Sequence, residues 1–190
     1  YKRQVREKTA VDIVKATTGQ EAVAVADPTL LLNTYEWSKV LNDSMVPQEK
    51  YILLYVLKES PYITETALRI AKEKRLKVVR ICRGAYRQDP KNSPIQNIMD
   101  AGPAEYLALF KNATMVMTNS FHGTVFSIQF NRDFYTIVSR SANNNSRQID
   151  LLSTLGIDRI KYTDTTFSEE SAIEWDIVNK RVEEYRMESI

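Results

Sequence analysis

Cysteine and histidine are nearly missing: Cys82 and His122 stand alone in 190 residues. A lone thiol can form neither an intramolecular disulfide nor a cysteine-based zinc site, so a reducing compartment and a cytoplasmic location are expected. Paired histidines, a Gly-x-Gly-x-x-Gly segment and a phosphate-loop lysine motif are absent too. Metallohydrolase, dinucleotide and nucleoside-triphosphate readings therefore lack support, and neither a metal nor a cofactor is expected. The longest apolar runs, 22–26 and 51–57, fall far short of the ~20 residues that cross a bilayer, so a soluble domain is expected. Charge of one sign is missing as well. Lys and Arg number 26 against 24 Asp and Glu, mixed along the chain to a net +2, which leaves no basic face for a nucleic-acid partner.

What remains is the composition of an ordinary globular protein, 43% hydrophobic and 26% charged, at a length that suits one α/β core. Residues 51–57 form a nearly continuous apolar run, as expected of a strand covered on both faces in a parallel sheet. Further strands are expected at 22–26, 76–82, 115–118 and 134–138. Helices are expected at 5–16, 36–41, 61–75, 103–113, 122–129, 148–155 and 168–187, where apolar residues recur at helical spacing; Pro61 and Pro103 open two of them, and Gly19 and Gly156 end two others. The stretch 84–102, with Pro90 and Pro94, reads as an irregular loop with a short helical turn at 95–99. Alternation of strand and helix about five times implies one Rossmann-like parallel sheet with helices on both faces, across a single domain 1–190 that ends in a C-terminal helix. In such sheets ligands bind at the carboxyl ends of the strands, here Asp27, Lys58, Arg83, the segment 118–120, and Ser139-Arg140.

His122 falls in the first turn of a helix that follows a strand, where unpaired N–H groups favour an anion. Asn119 or Ser120 can cap that helix, Gly123 allows close backbone approach, and Thr124 adds a hydroxyl. The same residues also suit a plain strand-turn-helix junction. In the polar loop 143–147, Asn145 adds an amide and Arg147 offers a planar fork to a carboxylate or phosphate, although a surface arginine is the simpler reading, as it is for Arg6. Asp27 is expected to fix a turn and Glu105 to favour the start of its helix. A Ser120-His122 dyad is discounted, because residues two apart on such a turn diverge.

Val5-Arg6-Glu7, Asp27-Pro28-Thr29 through Leu32 with Trp37, the run from Thr118 through Asn119-Ser120-Phe121-His122-Gly123 to Ser127, and Asn145-Ser146-Arg147 followed by Asp150-Leu151-Leu152 together resemble the C-terminal half of the polysaccharide pyruvyl transferase family. The resemblance implies a domain like the second half of a glycosyltransferase-B-like enzyme. Opening at Tyr1 and running at once into 3–7, the chain reads like a piece of a larger protein. The implied activity moves the enolpyruvyl unit of phosphoenolpyruvate onto a sugar hydroxyl as a ketal, with a sugar or lipid-linked saccharide of the cell envelope as acceptor. Arg6 and His122 are the implied catalytic residues. Arg147, Asn119, Ser120, Gly123, Thr124 and Asn145 are the expected substrate-binding residues. One departure is plain: relatives carry arginine two positions before the histidine, where this chain has Ser120, and Arg147 is the inferred replacement. A glycosyltransferase acting on a nucleotide sugar, with Glu105 on a ribose, and a non-catalytic domain of the same family are the alternatives.

Overall fold

The computed structural model describes residues 3–82, 93–141 and 145–189. Arg83, residues 84–92 of the expected 84–102 loop, and Asn143 and Asn144 lie outside the described residues. In chain order the elements are β1 (Arg3–Val5), α1 (Lys8–Thr18), β2 (Ala22–Ala24), α2 (Thr34–Ser38), β3 (Tyr51–Tyr55), α3 (Pro61–Lys74), β4 (Lys77–Ile81), β5 (Ile95–Ile98), α4 (Pro103–Asn112), β6 (Met115–Thr118), α5 (Phe121–Gln129), β7 (Asp133–Val138), α6 (Ser146–Leu155), β8 (Ile160–Tyr162) and α7 (Trp175–Met187). Short 3-10 turns cover Pro28–Leu30 and Asp43–Met45.

Six strands form a parallel sheet in the order β5-β4-β3-β6-β7-β8, and β1 pairs with β2 in a separate two-stranded parallel sheet. The chain therefore moves outward from β3 to β5, returns to the middle and moves outward the other way from β6. That reversal puts the switch point of strand order between β3 and β6. Successive side chains of β3 point to opposite faces: Tyr51 and Leu53 join the core under α4 to α7, whereas Ile52 and Leu54 join the core under α3. Burial on both faces is why the run at 51–57 lacks the alternation of a half-exposed strand.

Four expectations are corrected. Val5, the first residue of the expected 5–16 helix, is strand: β1 pairs with β2, and the helix starts at Lys8. The helical turn expected at 95–99 is strand β5, held by parallel pairing of Val78 with Ile95 and Arg80 with Asn97. Strand β8 was not anticipated; its three residues are set by pairing with β7 and carry little pattern of their own. The C-terminal helix begins at Trp175, not at 168, and the preceding segment is bonded to side chains of the β8 region, Arg159 donating to the Ser171 carbonyl and Glu170 accepting from Lys161. Among the described residues no helix is long and apolar enough to cross a membrane.

Candidate active site

The turn from β6 into α5 is built by short-range bonding. Ser120 caps the helix by accepting from the Gly123 N–H at 3.3 Å, and its own N–H donates to Thr118 Oγ1 at 3.0 Å. Thr124 donates to the Ser120 carbonyl and shares a 2.7 Å hydrogen bond with Thr136 on β7. Ser120 and Thr124 are buried by this network. Gly123 lies against β6: a Cβ there would overlap Thr118 Oγ1 and come within 3.0 Å of Thr118 Cβ. These three residues, expected to contact substrate, hold the junction through polar bonds and close approaches within the turn and to Thr118 and Thr136 of the sheet. Gly123→Ala should accordingly destabilise the fold by about 1–3 kcal/mol through overpacking, read as a lower urea midpoint at unchanged slope.

Packing leaves His122 partly exposed while Phe121 and Gly123 on either side are buried. Its side chain is 46% exposed, and Nε2 lies 3.9 Å from Asp27 Oδ1. Asp27, only 2% exposed, does fix a turn, accepting from the Thr29 N–H at 3.0 Å and the Thr29 hydroxyl at 2.7 Å. It also accepts from Arg6 Nη1 at 2.6 Å. One buried carboxylate thus sits between the guanidinium that follows β1 and the imidazole that follows β6.

Burial alone would raise the Asp27 pKa, but the bonds from Thr29, the Arg6 guanidinium and nearby His122 together hold it below the usual carboxylate value. With the folded value below the unfolded one of about 3.9, the stabilisation is complete above about pH 4 and is lost as pH falls through the folded value. Asp27→Asn should therefore be less stable than the wild type by about 1–3 kcal/mol at pH 7. The gap should narrow as the pH is taken below about 4, measured by urea unfolding at each pH.

Arg6 and Arg147 line the same cavity of about 190 Å³, together with Asp27, Phe121, Asp150 and Tyr185. Arg147, at the start of α6, bonds Glu7 Oε1 through Nε at 3.1 Å, and its guanidinium carbon stands 5.1 Å from the centre of the Phe121 ring. Ser146 also donates to Glu7. Each arginine is thus oriented by a carboxylate on or beside the β1–α1 segment, while 46% of the Arg6 side chain and 30% of the Arg147 side chain remain exposed. Acidic groups also converge here. Burial pushes the Tyr185 phenol up, and Asp150, Asp27 and Glu188 push it the same way. Asp150 Oδ2 is buried with no hydrogen-bond partner among the described residues.

Asn119 and Asn145 do not line this cavity. Asn119 bridges the switch point, accepting from the Leu57 N–H at 2.8 Å and donating to the Lys58 carbonyl at 2.7 Å. Asn145 donates to the Ser139 carbonyl at 2.6 Å. Glu105 accepts from Asn42 at 2.6 Å and lines neither the Arg6 cavity nor the space beside Asn119. Sequence reasoning missed Phe121 and Tyr185 as cavity walls, because an aromatic at a helix start and another in an amphipathic tail read locally as core.

A six-stranded parallel sheet with helices, and a cavity beside the strand end that leads through Phe121-His122 into α5, defines a Rossmann-like α/β domain. Solved structures share that fold. The UDP-GlcNAc 2-epimerase of Methanocaldococcus jannaschii, solved with UDP-GlcNAc and UDP, matches at TM-score 0.56 and 12% identity over 96% of this chain and 53% of its own. The Neisseria meningitidis UDP-GlcNAc 2-epimerase bound to UDP-GlcNAc matches at 0.54 and 9% over 99% and 55%. The glycotransferase of kitacinnamycin matches at 0.54 and 14% over 78% and 42%. The chain thus spans about half the length of the solved structures it resembles. Comparison with curated protein sequences finds no match. The sequence model of the polysaccharide pyruvyl transferase family matches residues 5–141, and the chain belongs to that family. Arg6, Asp27 and His122 fall inside the matched segment; Arg147 and Asp150 lie beyond it.

Proposed function

We propose that this chain is the phosphoenolpyruvate-binding, C-terminal half of a transferase that places a pyruvyl ketal on a saccharide. Family membership supports a polysaccharide-modifying transferase. The observation that carries the finer reading is that Arg6 and Arg147, from distant parts of the sequence, line one cavity beside the His122–Asp27 pair. Phosphoenolpyruvate carries a carboxylate and a phosphate on three carbons, and two guanidinium forks are suited to hold such a compact anion. Where relatives carry an arginine, Ser120 is a buried helix cap, and Arg147 brings a guanidinium to the cavity from α6 instead.

In this reading His122 delivers a proton to the methylene carbon while a sugar hydroxyl attacks the adjacent carbon. The imidazole takes the proton of that first hydroxyl, and a second hydroxyl of the same sugar then displaces phosphate and closes the ketal, its proton leaving with the phosphate. Asp27 orients Arg6 and faces the imidazole that must exchange protons. The glycosyltransferase alternative loses its one candidate, since Glu105 is bonded to Asn42 away from the cavity.

Calorimetry of the full-length protein with phosphoenolpyruvate and, separately, with a nucleotide sugar tests the reading. Saturable binding of phosphoenolpyruvate that weakens in Arg147→Ala is expected. Binding of the nucleotide sugar alone would overturn it.

A further inference from the structure

The largest described cavity at the strand ends is not the one lined by the two arginines. It measures about 460 Å³ and lies where β3, β6, β7 and β8 end, walled by Lys58, Tyr62, Asn119, Ser139, Asn145 and Thr163 among others. This is the switch point of strand order, where open parallel sheets bind ligands. We propose that this cavity is the saccharide subsite and holds a neutral sugar unit of the acceptor, a proposal that rests on the transferase reading above.

Three observations lead there. Among the described residues the cavity's only charged walls, Lys58 and Glu59, are neighbours of opposite sign, so these walls bring no net charge to hold a phosphate. Its polar walls are hydroxyls and amides, with Ser139 and Ser141 sharing a 2.9 Å hydrogen bond, and its apolar walls are Leu57, Pro61, Ile137 and Val138. Hydroxyl-bearing rings with C–H faces need that mixture, whereas a diphosphate needs cations.

The third observation is the wall between the two cavities. The β6–α5 turn contributes Asn119 to this cavity and Phe121 to the arginine cavity; the start of α6 contributes Asn145 to this one and Arg147 to the other. Gln148 ties the two elements together, donating to the Asn119 carbonyl at 3.3 Å, and its Oε1 is buried without a partner among the described residues. A sugar in one cavity and an anion in the other would thus lie on either side of the turn that carries His122. The floor is set before any ligand arrives, because the oxygen and the nitrogen of the Asn119 side-chain amide are both already bonded across the switch point.

The test is saturation-transfer NMR on the full-length protein with methyl glycosides of glucose, galactose, mannose and N-acetylglucosamine, with UDP as the anionic probe and phosphoenolpyruvate binding followed in parallel. Ser141→Trp and Thr163→Phe each put a bulky ring into the cavity, from the segments that follow β7 and β8. The expected result is a glycoside signal in the wild type that both variants lose while keeping wild-type phosphoenolpyruvate affinity. Absence of any glycoside signal, a signal that survives both substitutions, or UDP binding that the substitutions abolish would each overturn the subsite. Failure of phosphoenolpyruvate to bind the wild type would instead overturn the transferase reading, so the two failures are distinguishable.

Discussion

Replacing His122 with alanine in the full-length protein should lower ketal formation from phosphoenolpyruvate by about a hundredfold or more, the usual contribution of a positioned general acid. Phosphoenolpyruvate affinity should change little, because the arginines, not the imidazole, hold the anion in this account. The expectation rests on placement. His122 leaves the first turn of α5 with nearly half its side chain exposed, while its neighbours Phe121 and Gly123 are buried. Its Nε2 faces the carboxylate that also orients Arg6. A structural histidine in that turn would affect the unfolding midpoint instead, and the alanine variant should unfold like the wild type. Turnover at the wild-type rate would exclude the acid role.

Arg6→Ala should weaken phosphoenolpyruvate binding by on the order of 2–5 kcal/mol, the loss seen when one partner of a close charge pair is truncated, about thirtyfold at the lower end. Two effects add. The anion loses a guanidinium, and Asp27, almost fully buried, loses the cation 2.6 Å away and becomes an unscreened negative charge beside the cavity. Arg6→Lys separates them, since it keeps the charge near Asp27 but not the planar fork. Lysine should restore stability and leave much of the binding defect. If calorimetry shows lysine and arginine equivalent toward phosphoenolpyruvate, Arg6 is a partner of Asp27 and no more.

How far the sequence alone reaches can be judged from particular residues. The central strand at 51–55 was legible because burial on both faces leaves an apolar run that no helix of that length would need. Strands β1, β5 and β8 were not, since three or four residues carry no period and their conformation comes from the strand beside them. Gly19 and Gly156 ended their helices as expected, both with positive φ at the C-cap. The segment 118–124 drew attention correctly as a junction at a strand end, yet Ser120, Gly123 and Thr124 face the sheet. His122 and Asn119 are left partly outward, and local spacing could not separate these roles. The approach of Arg6 to Arg147 across most of the chain was suggested by family resemblance and not by any periodicity, because it depends on α6 packing near the β1–α1 segment through Glu7.

Because the chain holds a single histidine, its imidazole ring protons report on one place. Titrating phosphoenolpyruvate into this protein at fixed pH and following those signals by NMR tests most directly whether the imidazole and the two guanidinium groups serve one anion. A saturable shift of the His122 ring, weakened in both Arg6→Ala and Arg147→Ala, is the predicted result. Ring signals that stay in place while phosphoenolpyruvate binds elsewhere on the molecule would contradict the account.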